Sequence, residues 1–181
     1  MSRSRLVFSG SGGQGVITAA IILAEAAVLH EHLIATQAQS YGPEARGGAT
    51  RTDVIISDAP IRYPKVDQPN ILVCLTQEAY NKFYTIIRPG GTLLTDPRYV
   101  TVQSKVDARQ VQLAMHQAVM EKIGKPIVFN ICMLGAVVGL TGLVKPESIM
   151  ASLESRIPPG FLEVNRKALE IGLEMGTPHR R

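Results

Sequence analysis

The sequence predicts an α/β fold: a Rossmann-like, mostly parallel sheet with helices on both faces and a helical C-terminal third. Three observations indicate it. Strand-like and helical segments alternate up to about residue 100, as in βα repeats. A glycine-rich loop at residues 10–15 joins the first strand to a helix. The segments beyond about residue 124 are all helical in pattern. The length of 181 residues suits one domain, which we expect to span residues 1–181.

Six short segments have the apolar or β-branched composition of strands, and most end at Gly, Pro or Asp. We predict these strands at residues 6–8, 33–38, 50–57, 70–76, 92–95 and, as a shorter sixth, 99–103.

Helical periodicity and end signals predict six helices. Pro89, Gly90 and Gly91 end the second of them, and Gly124 caps the third, in which apolar residues recur four apart. The predicted helices span residues 16–29, 77–88, 107–123, 129–143, 146–156 and 161–175.

Composition and charge exclude several function classes. The net charge is only +4, with no run of Lys and Arg and no Trp, so we expect no nucleic-acid partner. No signal peptide is recognisable and the apolar segment 131–144 is too short for a bilayer, so we expect a cytoplasmic protein without a membrane segment. Two cysteines are too few for an iron–sulfur cluster, which usually takes four thiolates. His30 and His32 lack further metal ligands nearby, and no catalytic residue pattern is present.

The glycine-rich loop carries the first candidate site: Gly10, Ser11, Gly12, Gly13, Gln14 and Gly15. The spacing of Gly10, Gly12 and Gly15 matches the dinucleotide fingerprint. We expect Gly10 to allow the turn, Gly12 to let the backbone approach a phosphate, and Gly15 to let the helix pack close to the strand. The helix N-terminus would attract the phosphate. The alternative is a tight strand-to-helix turn without a ligand.

Two known uses of such loops fit poorly. NAD binding needs an Asp or Glu at the end of the second strand, where residues 35–40 contain no acid. The Gly-Lys-Ser/Thr of a Walker A loop is missing. We therefore expect a phosphate-bearing cofactor other than NAD.

A second candidate site follows the second strand, at the carboxyl end where α/β sheets bind ligands. Arg46 offers a planar fork of donors for phosphate or carboxylate, and Glu44 could pair with it. Gly47 and Gly48 allow close approach of a neighbour, and Tyr41 could close over a ligand. The alternative is a surface turn with a solvated ion pair.

Together these motifs resemble the gamma subunits of 2-oxoacid:ferredoxin oxidoreductases, over nearly the whole chain and in order. The resemblance rests on the following segments: GSGGQGV (10–16), YGPEARGG (41–48), VIISDAPI (54–61), RPGG (88–91) and NICMLGA (130–136). Residues 39–44 and 75–80 look most like the 2-oxoglutarate branch. The pyruvate, branched-chain and indolepyruvate branches are alternatives, as is a non-enzymatic nucleotide-binding module.

The resemblance implies a subunit of a complex that makes acyl-CoA, CO2 and reduced ferredoxin, and that is inactive when isolated. Coenzyme A would bind on this chain or at its interface. Thiamine diphosphate, Mg and iron–sulfur clusters would lie on partner subunits only: alpha, beta and a ferredoxin-like delta subunit. The start of the helix at residue 129 would face the cofactor, which makes Asn130 a further candidate.

Overall fold

The computed structural model describes residues 3–40 and 48–181. Within them, six strands form one sheet in the order β2-β3-β1-β4-β5-β6. The strands are β1 (Ser4–Gly10), β2 (Ile34–Gln39), β3 (Thr50–Ser57), β4 (Ile71–Cys74), β5 (Gly91–Thr95) and β6 (Ala108–Gln112).

The predicted mostly parallel sheet is confirmed. Strands β1, β4, β5 and β6 are parallel neighbours, whereas β3 runs antiparallel to both β1 and β2. Five strands therefore point the same way. Their carboxyl ends, with the start of β3, form what we call the carboxyl edge of the sheet; the opposite side is the amino edge.

Helices cover both faces of the sheet, and the C-terminal third of the chain is helical, as predicted. The helices are α1 (Val16–Glu31), α2 (Gln77–Phe83), α3 (Met115–Lys122), α4 (Phe129–Thr141), α5 (Pro146–Arg156) and α6 (Pro159–Gly176). Among the residues described, none of them is both long and apolar enough to traverse a bilayer.

Alternation along β1 sends successive side chains to opposite cores. Leu6 and Phe8 pack in the larger core, which the residues of α1 and α4 dominate. Val7 packs on the other face with Tyr80 and Phe83 of α2. The central strands are thus covered on both sides, which fixes the position of the loops at the carboxyl edge.

Helices α4 and α6 pack with their backbones in close contact. A Cβ at Gly139 would lie 2.8 Å from the Thr177 nitrogen, and one at Gly172 would overlap the carbonyl of Cys132. No local pattern in the sequence predicts this pairing of α4 with α6, since it is a contact between segments distant in the chain.

Two element assignments were wrong. The sixth strand is Ala108–Gln112, not 99–103, and the helix predicted at 107–123 begins only at Met115. Residues 99–103 bond elsewhere: the Asp96 carbonyl accepts from Tyr99 N, and side chains of α2 accept from Thr101 N and Gln103 N.

Candidate active-site cleft at the glycine-rich loop

Residues 11–15 form a tight loop between β1 and α1 that the side chain of Gln14 holds in shape. Its Oε1 accepts from the backbone N–H of Ser11 at 2.9 Å, and its Nε2 donates to the carbonyl of Leu75 at 2.9 Å. A Cβ at Gly10 would lie 2.5 Å from the same Oε1. Gly10 therefore leaves room for the Gln14 amide, and both ends of that amide are engaged within the protein.

Gly10 ends β1, and the turn that follows is closed by a hydrogen bond from Gln14 N to the Ser11 carbonyl at 3.2 Å. Gly15 is the N-cap of α1 and has a φ of 71°, in the left-handed region. A Cβ there would lie 2.6 Å from Nδ2 of Asn130. The predicted close packing at Gly15 thus exists, but against the side chain of Asn130 on α4 and not against the strand.

Gly12 and Gly13 are the open part of the loop. Both are exposed. A Cβ on Gly13 would meet no atom within 4 Å, and one on Gly12 would meet only Thr50 Oγ1, at 3.9 Å. Within the described part of the chain, their N–H groups have no acceptor. They precede Gly15, the N-cap of α1, at an end of the helix that no side chain caps, and their N–H groups are available to an anionic group.

A cleft of about 370 Å³ opens beside Gly13 and Gly15. Three rings form one side of it. The ring of Tyr99 lies 5.6 Å from that of His116 and 5.8 Å from that of Phe129, and the rings of His116 and Phe129 are 6.0 Å apart. Ile127 is 83% exposed at its rim. The cleft therefore joins hydrogen-bond donors to flat apolar surface.

A second cleft of about 600 Å³ adjoins the first and shares His116 with it. Asp96, directly after β5, lines the second cleft: it is buried, and its carboxylate accepts from Arg98 N at 2.9 Å and from His116 N at 2.8 Å. This carboxylate fixes the start of α3 and hence the position of the His116 ring. Arg98 lies 5.8 Å over the Tyr99 ring and also lines the second cleft.

Tyr99, His116 and Phe129 were not predicted as lining residues. One of two overlapping patterns indicates the strand before His116, since Val111 and Leu113 alternate with Gln110 and Gln112. Alternation of this kind predicts a strand that ends near residue 113, which would have placed His116 at the carboxyl edge.

Asn130 lies near the start of α4, on the wall of the first cleft. Tyr41, Glu44, Arg46 and Gly47 lie outside the described residues. Gly48 is described and is half-buried, two residues before Thr50. Because Thr50 pairs with Gly10, Gly48 is at the same carboxyl edge as the glycine-rich loop.

The described lining of the first cleft suits binding better than covalent chemistry. Apart from His116, the side chains that line this cleft include no carboxylate and no thiol for acid–base or nucleophilic catalysis. Both cysteines are buried, and burial raises the pKa of each thiol to about 12. The described residues contain no group of three or more His, Cys, Asp or Glu placed to hold a metal ion.

Comparison with known proteins gives a consistent result. A family model described as pyruvate ferredoxin/flavodoxin oxidoreductase matches residues 5–175. The chain is 44% identical over 175 residues to the "2-oxoglutarate synthase subunit KorC" of Methanocaldococcus jannaschii. The matched region covers 96% of this chain and 94% of that protein.

Solved structures show the same fold. The gamma subunit of a keto/oxoacid ferredoxin oxidoreductase from Geobacter sulfurreducens superposes with a TM-score of 0.90 at 40% identity, over 100% of both chains. A 2-oxoglutarate:ferredoxin oxidoreductase from Magnetococcus marinus, solved with 2-oxoglutarate, coenzyme A and succinyl-CoA, superposes with a TM-score of 0.88. At 19% identity, and over 98% of this chain and 32% of that one, this likeness shows the fold alone.

Proposed function

This chain belongs to the pyruvate ferredoxin/flavodoxin oxidoreductase family, and from that premise we propose that it is the gamma subunit of a 2-oxoglutarate:ferredoxin oxidoreductase. The resemblance of residues 39–44 and 75–80 to the 2-oxoglutarate branch supports this choice of oxoacid. So does the KorC name of the relative from M. jannaschii.

In this proposal the cleft at the glycine-rich loop holds part of coenzyme A. The observation that carries it is Gly13, which has an available N–H in the loop before α1 and open space where a Cβ would be. A phosphate of coenzyme A can accept hydrogen bonds from the N–H groups of Gly12 and Gly13. The rings of Tyr99 and Phe129 provide flat surface for the adenine or the pantetheine arm.

In this scheme the residues of this chain bind and orient coenzyme A, and they perform no bond-making step. When bound, coenzyme A supplies the thiol that takes up the acyl group. Asn130 and Gln14 hold the loop in place, and Arg46 pairs with a further anionic group of the cofactor or with a carboxylate of a partner subunit.

The other cofactors belong to partner subunits in this proposal. Thiamine diphosphate with Mg, and the iron–sulfur clusters, would lie on alpha, beta and a ferredoxin-like delta subunit, with ferredoxin as the indirect electron acceptor. The chain has no Gly-Asp-Gly motif and only two cysteines, which agrees with this division. We place the complex in the cytoplasm, in keeping with two thiols that are both unpaired and buried.

Calorimetric titration of coenzyme A tests the proposal, first with the purified chain and then with the native complex, alongside Arg46→Ala. We expect coenzyme A to bind to the native complex. In the Arg46→Ala complex the affinity should fall about tenfold, because a charged hydrogen bond is lost. Absence of heat with both preparations would refute the binding role. If the chain purified alone even when co-expressed with the alpha and beta genes, the subunit role itself would be wrong.

A further inference from the structure

The amino edge of the sheet, opposite the candidate site, carries a strongly basic surface. Two clefts open there, of about 760 Å³ and about 370 Å³, and Arg3 lines both. The six Lys and Arg side chains that line them are Arg3, Arg5, Lys65, Arg88, Arg109 and Arg181, and Asp67 is the single carboxylate among the described lining residues. We call these residues the basic edge.

The basic edge accounts for the charge of the whole protein. Its side chains give an excess of five positive charges, whereas the net charge of the full sequence is +4. The rest of the chain is therefore close to neutral. An asymmetry of this kind creates a local positive potential that attracts an anionic partner.

Within the described part of the chain, the cations of the basic edge have no ion-pair partners. Arg3 donates to the carbonyl of Pro60 at 2.8 Å and Arg109 to the carbonyl of His179 at 2.6 Å. These contacts orient the guanidinium groups and leave their positive charge in place.

The extent of the basic edge fits a macromolecule better than a small anion. Arg5 on β1 and Arg109 on β6 are three strand positions apart, about 14 Å between their backbones. Their side chains lie on opposite faces of the sheet, so the basic residues wrap around its amino edge. Lys65 and Arg88 extend the surface further and are exposed. Tyr63, 60% exposed in the same cleft, adds the kind of side chain that is enriched, together with Arg, at protein interfaces.

We propose that the basic edge docks a protein chain that presents an acidic face. The partner would approach the side of the sheet away from the glycine-rich loop, so coenzyme A and this partner could be bound at the same time. The inference does not depend on coenzyme A binding, since it rests on charge and surface at the opposite edge.

Fluorescence anisotropy with a labelled decaglutamate peptide tests this docking surface, using the full chain at low salt. Lys65→Glu should weaken binding about fivefold or more through the reversed charge. Lys167→Glu is the matched control, because Lys167 is exposed on α6 with no ion pair to a described residue, and the substitution changes the net charge equally. We expect this control to bind within about twofold of the unmodified chain.

Four results would overturn the proposal. Equal weakening by both variants would mean that overall charge, and not the basic edge, attracts the peptide. Tighter binding of a labelled deca-thymidine strand would indicate nucleic acid as the partner. Displacement of the peptide by inorganic phosphate at constant ionic strength would indicate a small-anion site. No binding of decaglutamate at low salt would exclude the surface altogether. Matching melting temperatures for the two variants make these comparisons valid.

Discussion

Asn130 donates from Nδ2 to the carbonyl oxygen of Gly15 at 3.3 Å, across 115 residues of sequence. The contact joins the start of α4 to the start of α1 beneath the glycine-rich loop. It exists because Gly15 has no side chain: the position of a Cβ there lies 2.6 Å from the donor nitrogen. The shape of the loop is therefore set by a distant helix as well as by its own glycines.

Gly15→Ala should destabilise the protein through two effects, a left-handed φ of 71° and a clash with Asn130. Gly90→Ala is a matched control, since Gly90 also has a φ of 71° but no atom within 4 Å of a Cβ. We expect about 1 kcal/mol from the conformation alone at Gly90 and at least about 2 kcal/mol at Gly15. Urea unfolding measures both, and equal losses would show that the Asn130 contact does not matter.

Gly172→Ala should be strongly destabilising, by about 3 kcal/mol, because a Cβ would overlap the backbone of α4. Gly160→Ala in the first turn of the same helix α6 meets no atom within 4 Å. It should be neutral or stabilise by up to about 1 kcal/mol, since Ala is the better helix former. Thermal melting compares them, and a tolerated Gly172→Ala would contradict the close packing of α4 on α6.

Cys74 and Cys132 should be unreactive in the folded protein. Both are 0% exposed, and burial raises the pKa of each to about 12, which leaves ~10⁻⁴ of each thiol ionised at pH 8. A disulfide reagent such as Ellman's should label neither cysteine until guanidinium is added, when both should react. Rapid labelling of the native chain would contradict the burial of these side chains.

Stability should fall on acidification through Glu31, which joins α1 to α5. Its carboxylate accepts from Ser148 Oγ at 2.7 Å and Lys145 N at 2.9 Å, and these bonds, the one from Ser148 foremost, lower the pKa of Glu31 in the folded protein. The unfolded value is about 4.3. A lowered folded pKa means that the stabilisation is fully present above this value and is lost as the pH falls through the folded pKa.

Glu31→Gln should therefore lower stability at pH 7, by at most about 1 kcal/mol because the carboxylate is largely solvated, and should have a progressively smaller effect as the pH falls toward 3. Melting curves across this range check it. Glu170→Gln serves as the control, since Glu170 is exposed and has no ion pair with a described residue. A loss that was the same at both pH values would show that the ionised form of Glu31 is not what stabilises the junction.

Local patterns predicted the strand–loop–helix unit at the start of the chain because its signals are close in sequence. The run Leu6, Val7 and Phe8, the glycines and the following helix are contiguous. The bounds then differed by only a few residues, with β1 at Ser4–Gly10 and α1 at Val16–Glu31.

The region around β6 could not be assigned because two periodicities overlap. Val111 fits both an alternating strand with Leu113 and a four-residue helical repeat with Met115. The segment forms a strand and not a helix because it pairs with β5 at the edge of the sheet, where Val111 is buried. That outcome depends on tertiary pairing, so no window of the sequence contains it. The error also concealed the ring cluster at His116, which depends on where β6 ends.

The contact between Gly15 and Asn130 lies beyond sequence reasoning for the same reason. The glycine spacing predicted that something packs closely at Gly15, but the partner comes from a helix that the topology brings to the loop. The resemblance alone drew attention to Asn130, and the physical role of its amide required the structure.

Binding of coenzyme A at the glycine-rich loop is tested by titrating coenzyme A into the native complex that contains Gly13→Ala, with Gly160→Ala as the control. A Cβ on Gly13 meets no protein atom and so should leave the melting temperature unchanged, while it intrudes on the space from which a phosphate would approach the loop. We expect the dissociation constant of coenzyme A to rise about tenfold or more for Gly13→Ala and to stay unchanged for Gly160→Ala. Unaltered affinity in a Gly13→Ala complex of normal stability would contradict binding of coenzyme A at the glycine-rich loop.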